Sequence, residues 1–289
     1  MSVTVVTDSA AALPPDLIAR YDIRVVPLVL QVGADRYRDG EISLDELVRR
    51  FDEPISTAAP SPGEFATVIA DARRTGPVVT LTVAAGMSST HDSAKLAAKL
   101  VTDNDPGATE ASHEPEEPDV AVLDTGTAAG AQGLVVLAAA RAAAEGADRD
   151  EVVATAERVA GQVRLAASVA DLERLARSGR VPDAARWIGD RLGVRPLFEF
   201  RDGRARPLRP AFSAEAALDR IVQRCAAGAG RGAHLHVTVL HALNPDAAAV
   251  LAERVRALEP VSFLVGPFSP VMVAHTGRGL AGLAWWWED

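Results

Sequence analysis

VVTLTVAAGMSSTHDSAKLAAKL, residues 78–100, decides the fold class. Val78 to Val83 is a short β-branched run that reads as a buried strand, and from Ser89 the apolar residues take up the spacing of a helix packed on one face. Between them lies Ala84-Ala-Gly-Met-Ser-Ser-Thr90, the turn where open α/β sheets collect ligands. A strand feeding a helix through such a turn predicts a mostly parallel sheet with helices on its faces.

Working outward, the same alternation fills the first half of the chain. Val3 to Val6, Arg24 to Val32 and Val120 to Leu123 read as further strands, and Leu44 to Phe51, Glu64 to Arg73 and Ala128 to Ala144 as helices. After a helix at Arg149 to Val163 the pattern changes. Leu165 to Val169, Val194 to Phe200, Arg204 to Leu208, His234 to His241, Val261 to Val265, Val271 to His275 and Leu280 to Trp286 read as strands, and Asp202-Gly203 marks a hairpin. Helices are expected at Ala214 to Ala226 and at Pro245 to Leu258, with Asn244 as N-cap of the second. The expectation is an α/β protein of two domains: residues 1–164, an N-terminal mostly parallel α/β/α domain, and residues 165–289, a C-terminal mixed-sheet domain. No internal repeat is visible.

A chain of 289 residues exceeds the usual size of one hydrophobic core, in line with two domains. The only cysteine is Cys225, which excludes an intramolecular disulfide and a cysteine-based zinc site and fits a reducing compartment. MSVTVVTDS turns polar at Thr7 and reads as a strand rather than a signal peptide, so a cytoplasmic protein is expected. The richest apolar run, Leu134 to Ala140, is closed by Arg141 and is too short to span a membrane. Net charge is −9, and residues 102–119 carry seven acidic side chains with no Lys or Arg. That stretch reads as a solvated acidic loop; the rest is nearly neutral, which argues against nucleic acid as a partner.

Hydroxyl groups at turns are the most suggestive polar feature. Ser61, Pro62 and Glu64 form a capping box, which accounts for Ser61 but not for Thr57, four residues earlier in the turn before that helix, where helix N–H groups favour an anion. Ser88, Ser89 and Thr90 offer three hydroxyls at the next helix start; with Ser89 as cap, Ser88 is left to face a ligand. Taken alone, each cluster reads first as a cap.

His275-Thr-Gly-Arg-Gly-Leu-Ala-Gly282 holds a G-x-G-x-x-G spacing, but only seven residues follow Gly282, too few for a dinucleotide-binding unit. The glycines read as a turn that sets His275 at a strand end, either as a structural histidine or as a donor to a carboxylate or acyl phosphate. Asp8 and Asp124 each end a strand, as nucleotide- or metal-binding aspartates often do, and are as easily caps. No metal-ligand spacing, Walker motif or G-x-S-x-G motif is present, so the equipment of an enzyme is missing and no cofactor is expected.

Taken in order, these stretches resemble the DegV family, the fatty-acid-binding subunits of bacterial fatty acid kinase. Thr7-Asp-Ser9 with Leu13-Pro14, then Val25-Val26-Pro27-Leu28 with Asp39, resemble the family's first two strands, and Thr57 to Phe65 its T-S-x-P-S-P-x-E-F segment. Met87-Ser-Ser-Thr90 with Ser93-Ala94 resembles L-S-G-T-x-x-S-A, Leu123-Asp-Thr125 the next strand end, Leu172 to Val181 the G-G-R-I segment, and His275-Thr-Gly the closing H-T-G-P-G.

The resemblance implies a non-catalytic carrier that buries a long-chain fatty acid in an apolar tunnel between two domains. Its carboxylate would be held by Thr57 and Ser88, with His275, Arg209, Ser89 and Thr90 near the head group or acyl phosphate. A separate ATP-dependent kinase subunit would phosphorylate it, with no membrane span and at most transient contact with a membrane surface. Ala58 and Ala59 stand where the family usually has Ser and Gln, Ser89 replaces a glycine, Arg278 a proline, and Phe212 and Ser213 basic residues. Two other readings stand beside it: an acyl-ester hydrolase using Ser88 and His275, and a lipid-sensing protein with no kinase partner.

Overall fold

A computed structural model describes residues 2–103, 119–170, 172–181, 194–201 and 203–289. Most of the acidic stretch, and Asp202 of the expected hairpin, lie outside the described residues.

Four parallel strands form the first sheet, in the order β2-β1-β6-β7: β1 (Thr4–Asp8), β2 (Arg24–Val26), β6 (Val78–Thr82) and β7 (Val120–Asp124). The one strand expected at Arg24 to Val32 is two. Pro27 has no N–H to give a ladder, and the chain leaves the parallel sheet there. It resumes as β3 (Val29–Val32), the middle of a small antiparallel sheet with β4 (Asp35–Arg38) and β5 (Ile55–Ala58).

The mixed second sheet is six-stranded, in the order β10-β9-β8-β13-β11-β12: β8 (Arg164–Ser168), β9 (Arg195–Arg201), β10 (Arg204–Ala211), β11 (His234–His241), β12 (Ser262–Pro267) and β13 (Ala281–Glu288). Arg201 pairs with Arg204 across the β9–β10 turn, as the hairpin reading requires.

Helices α1 (Pro15–Arg20) and α2 (Leu44–Arg49) precede α3 (Pro62–Arg73) and α4 (Thr90–Asp103), which cover one face of the parallel sheet, burying Phe65, Ile69, Ala94 and Ala97 against Val6, Val26 and Val78. Later come α5 (Ala129–Ala144), α6 (Arg149–Gln162) and α7 (Leu172–Arg177). Helices α8 (Ala214–Ala226) and α9 (Pro245–Arg256) cover the outer face of the second sheet, burying Leu218, Ile221, Leu251 and Val255 against Val237, Val239 and Leu283. Between the two sheets lies α5, with 12 buried residues among its 16. Such a helix must be apolar all round, and α5 touches β1 on one side and β11 and β13 on the other. Its glycines let the backbones approach: a Cβ on Gly133 would lie 2.6 Å from the Ala11 carbonyl oxygen.

Val271 to His275, expected as a strand, belongs to helix α10 (Pro270–Thr276). The valines suggested a strand, but Pro270 sits at the first helical position, the Asp39 carboxylate accepts from the Val271 N–H at 3.1 Å, and Gly277 ends the helix with φ +68°. Asn244 does precede α9, but its side chain makes no cap bond; Nδ2 donates to the Gly279 carbonyl at 3.0 Å. Among the described residues no helix is long and apolar enough to cross a membrane.

Candidate functional site

Where the small sheet, α5, α10 and the second sheet meet, the packing leaves a cavity. Its apolar wall includes Leu28, Val83, Ala129, Phe198, Leu240 and Val271. The space free of atoms, mouth included, is about 920 Å³. The polar side chains on its wall, among the described residues, are Thr57, Ser88, Arg180, His275 and Thr276. The last is satisfied within its own helix, donating to the Met272 carbonyl at 3.0 Å.

Thr57 sits on β5, opposite Leu30 of β3, rather than in the turn before α3. A strand projects alternate side chains to one face, and Thr57 Oγ1 lies 2.9 Å from His275 Nε2. Arg180 Nη2 donates to the same Oγ1 at 3.3 Å, while its Nη1 donates to the Ser178 carbonyl at 2.7 Å. His275 occupies the last turn of α10. Burial, reinforced by the Arg180 charge, pushes its pKa down to about 4, so the ring is neutral at neutral pH. A neutral ring with the proton on Nε2 donates to Thr57 and leaves the threonine proton for another acceptor; the other tautomer consumes that proton.

Ser88 reaches the cavity from the turn after β6, but it is not left free by Ser89. The Ser88 hydroxyl lies 2.7 Å from Thr90 Oγ1 and accepts from the Thr90 N–H at 3.3 Å, so Ser88 rather than Ser89 makes the side-chain bond to the start of α4. Thr90 is buried behind it, and Ser89 is exposed, with its carbonyl accepting from the Ser93 N–H. The structure therefore gathers Thr57 and His275, adds Ser88 with Thr90 on the same cavity, and does not bring Arg209 to it. Arg209 lies exposed on β10, beside Arg220 and Arg224 in a separate depression.

Arg180 is the residue missed from the sequence. It lies in Ser178-Gly-Arg-Val181, the stretch matched to G-G-R-I, and supplies the positive charge that hydroxyls and a neutral imidazole lack.

The two strand-end aspartates are structural. Asp8 accepts from the N–H groups of Ala10 and Val83, and burial lifts its pKa to about 6; Asp124 accepts from the Gly126 N–H. No carboxylate lines the cavity among the described residues, so nothing there stands behind His275 as a hydrolase would require. Nor do three or more His, Cys, Asp or Glu side chains converge among those residues to hold a metal ion. Burial pushes the Cys225 thiol up to about 12, leaving it unreactive.

The geometry has close counterparts. The chain is 31% identical to a fatty-acid-binding DegV family protein from Thermus thermophilus, with a TM-score of 0.89 over 99% of both chains. DegV of Bacillus subtilis, a fatty acid binding protein, superposes with a TM-score of 0.85 at 26% identity over the full length of both. In sequence the chain is 36% identical to a DegV domain-containing protein of Streptomyces coelicolor over 97% of each, and 33% identical to one of Mycobacterium tuberculosis over 98% of this chain and 96% of the relative. The family described as "Uncharacterised protein, DegV family" matches residues 2–288. With a family match over residues 2–288, relatives above 30% identity over nearly the whole chain and a superposition covering 99% of it, the chain belongs to the DegV family.

Proposed function

We propose that this chain is a carrier for one long-chain fatty acid, held in the cavity between an N-terminal domain, 1–164, and a C-terminal domain, 165–289. The observation that carries the reading is the cavity itself: an apolar space on whose wall a neutral imidazole and a guanidinium both bond to one threonine hydroxyl. That composition suits an amphiphile with one anionic end. Each buried methylene contributes about 0.8 kcal/mol of gross transfer free energy, which the costs of association and ordering then reduce. Arg180 and the Thr57 hydroxyl supply charge-assisted hydrogen bonds to the carboxylate, and Ser88, which lines the same cavity, offers a further hydroxyl. The Thermus relative, similar over 99% of this chain, binds fatty acid, which supports the same ligand here.

The protein presents the carboxylate and performs no chemistry alone. A separate kinase subunit delivers the phosphoryl group of ATP: a carboxylate oxygen attacks the terminal phosphorus, the bond to the departing diphosphate breaks, and acyl phosphate and ADP result. The test is to titrate delipidated protein with palmitate and then to add ATP with and without a bacterial fatty acid kinase subunit. The carrier reading expects saturable one-to-one binding, no turnover alone, and acyl phosphate when the kinase is added. Hydrolysis of an acyl ester by the protein alone, lost in Ser88→Ala, would favour an enzyme.

A further inference from the structure

Arg278 is a departure that the lipid cavity does not account for. It stands where the closing H-T-G-P-G has a proline, and it lines a separate depression, where the turn into β13 meets the starts of α8 and α9. The space free of atoms there, open solvent included, is about 1290 Å³. Leu218, Leu243, Ala247 and Val250 give it an apolar wall, and Arg195, exposed like Arg278, lines it too. No residue of this depression lines the lipid cavity.

Strand alternation aims a hydroxyl into this space. On β8, Leu165 and Ala167 line the lipid cavity, whereas Ala166 belongs to the core under α8 and α9. Ser168 follows on that outer face. It is 9% exposed, it lines the depression, and its hydroxyl makes no hydrogen bond among the described residues. A buried hydroxyl without a partner carries a desolvation cost that a ligand acceptor would offset. The start of α9 is open as well. The Asn244 side chain makes no cap bond and donates to the Gly279 carbonyl instead, which leaves the N–H groups of Asp246 and Ala247 for an anion. Arg254 also lines the space, but Glu215 and Asp219 hold it at 3.2 and 2.6 Å. Arg195 and Arg278 form no ion pair among the described residues, and of the two carboxylates that line the depression, Glu215 belongs to Arg254 and Asp246 stands alone.

We propose that this depression is a second ligand site, which binds the phosphate group of a small organic phosphate between Arg195, Arg278, the Ser168 hydroxyl and the start of α9. Two guanidinium forks, two backbone N–H groups and a hydroxyl are more donors than the two coplanar oxygens of a carboxylate use, and they suit the three oxygens of a phosphate monoester. The carbon skeleton lies on the apolar wall at Leu243 and Val250. The site stands apart from the carrier reading, because it shares no residue with the lipid cavity.

The test is calorimetric titration of the full-length protein with phenyl phosphate, with and without palmitate. Arg195→Ala and Arg278→Ala are each expected to weaken phenyl phosphate about five-fold, Ser168→Ala about three-fold, and Asp246→Asn to strengthen it, while palmitate stays within about two-fold in all four. Both arginines are exposed, so their removal should leave the thermal midpoint unchanged, which separates loss of the ligand from loss of the fold. Absence of saturable binding at millimolar phenyl phosphate, or affinity indifferent to both arginine substitutions, overturns the site. Competition by palmitate, or loss of binding in Arg180→Gln, overturns it by placing phenyl phosphate in the lipid cavity. Inorganic phosphate that binds as tightly as phenyl phosphate overturns the organic ligand in favour of free phosphate, and benzoate that binds as tightly overturns the choice of phosphate.

Discussion

Thr57 Oγ1 and His275 Nε2 lie 2.9 Å apart although 218 residues separate them in sequence. The contact closes the small sheet onto α10 and fixes which partner can donate to a ligand. A carboxylate that accepts the threonine proton requires the Nε2–H tautomer, in which the imidazole donates to the threonine oxygen.

Thr57→Ala and Ser88→Ala should each weaken fatty-acid binding by about 1 to 3 kcal/mol through loss of a charge-assisted hydrogen bond. Thr57→Ser, which keeps the hydroxyl, should retain most of the affinity. Calorimetric titration with palmitate measures all three, and unchanged affinity in both alanine variants removes the assigned head-group site.

Arg180→Gln should discriminate between ligands. Palmitate affinity is expected to fall by about 1.5 to 3 kcal/mol, the range for a hydrogen bond to a charged group, while hexadecanol, which has no charge, changes little. The same substitution removes a charge that depresses His275, so the imidazole pKa should move up from about 4. An NMR titration of the His275 ring reads that shift directly.

Acid should destabilise the protein through His275. Its folded pKa, about 4, lies below the ordinary value of 6.5, so the unfolded chain takes up this proton first. The stability contributed by the neutral ring is complete above about pH 6.5 and is lost as pH falls toward 4. Asp8 acts in the opposite sense: raised from 3.8 to about 6, it favours the folded state as pH falls through 6 toward 3.8. Urea midpoints measured between pH 4 and 7 should therefore lose part of their acid-side decline in His275→Gln and become steeper on that side in Asp8→Asn. Parallel profiles for wild type and His275→Gln would show that His275 is not held neutral by the fold.

Asp39 fastens one wall of the cavity. Its carboxylate accepts from the Val271 N–H at 3.1 Å and from the Ser9 hydroxyl at 2.7 Å, and Ser9 Oγ in turn accepts from the Leu28 N–H at 3.1 Å. Val271 and Leu28 both line the cavity. Asp39→Ala should cost about 1 to 3 kcal/mol of stability, in the range of a lost cap with buried donors left unpaired. It should also speed amide exchange at Val271 and Val273 ahead of β6. Uniform acceleration would mean that α10 is not held separately.

Much of the architecture was legible because hydrophobic period is a local property. Val78 to Thr82 and Thr90 to Asp103 fall within one to three residues of where the pattern put them. Pro27 and Pro270 carried the correcting signals, one denying a ladder bond and one opening a helix, but both stood inside β-branched runs that outweighed them. Thr57, Ser88 and His275, which the motifs singled out, do line one cavity. Arg180 escaped because nothing beside Ser178-Gly-Arg-Val181 announces a partner 123 residues earlier. Arg209 was matched by position along the chain, and the exposed face of β10 carries it to a different depression from the one that Thr57 lines.

The most direct measurement is mass spectrometry of an organic extract of the purified protein, with and without prior delipidation. The account predicts one long-chain fatty acid per chain in the untreated protein, absent after delipidation and restored by incubation with palmitate. A clean extract from protein that also fails to take up palmitate would contradict it.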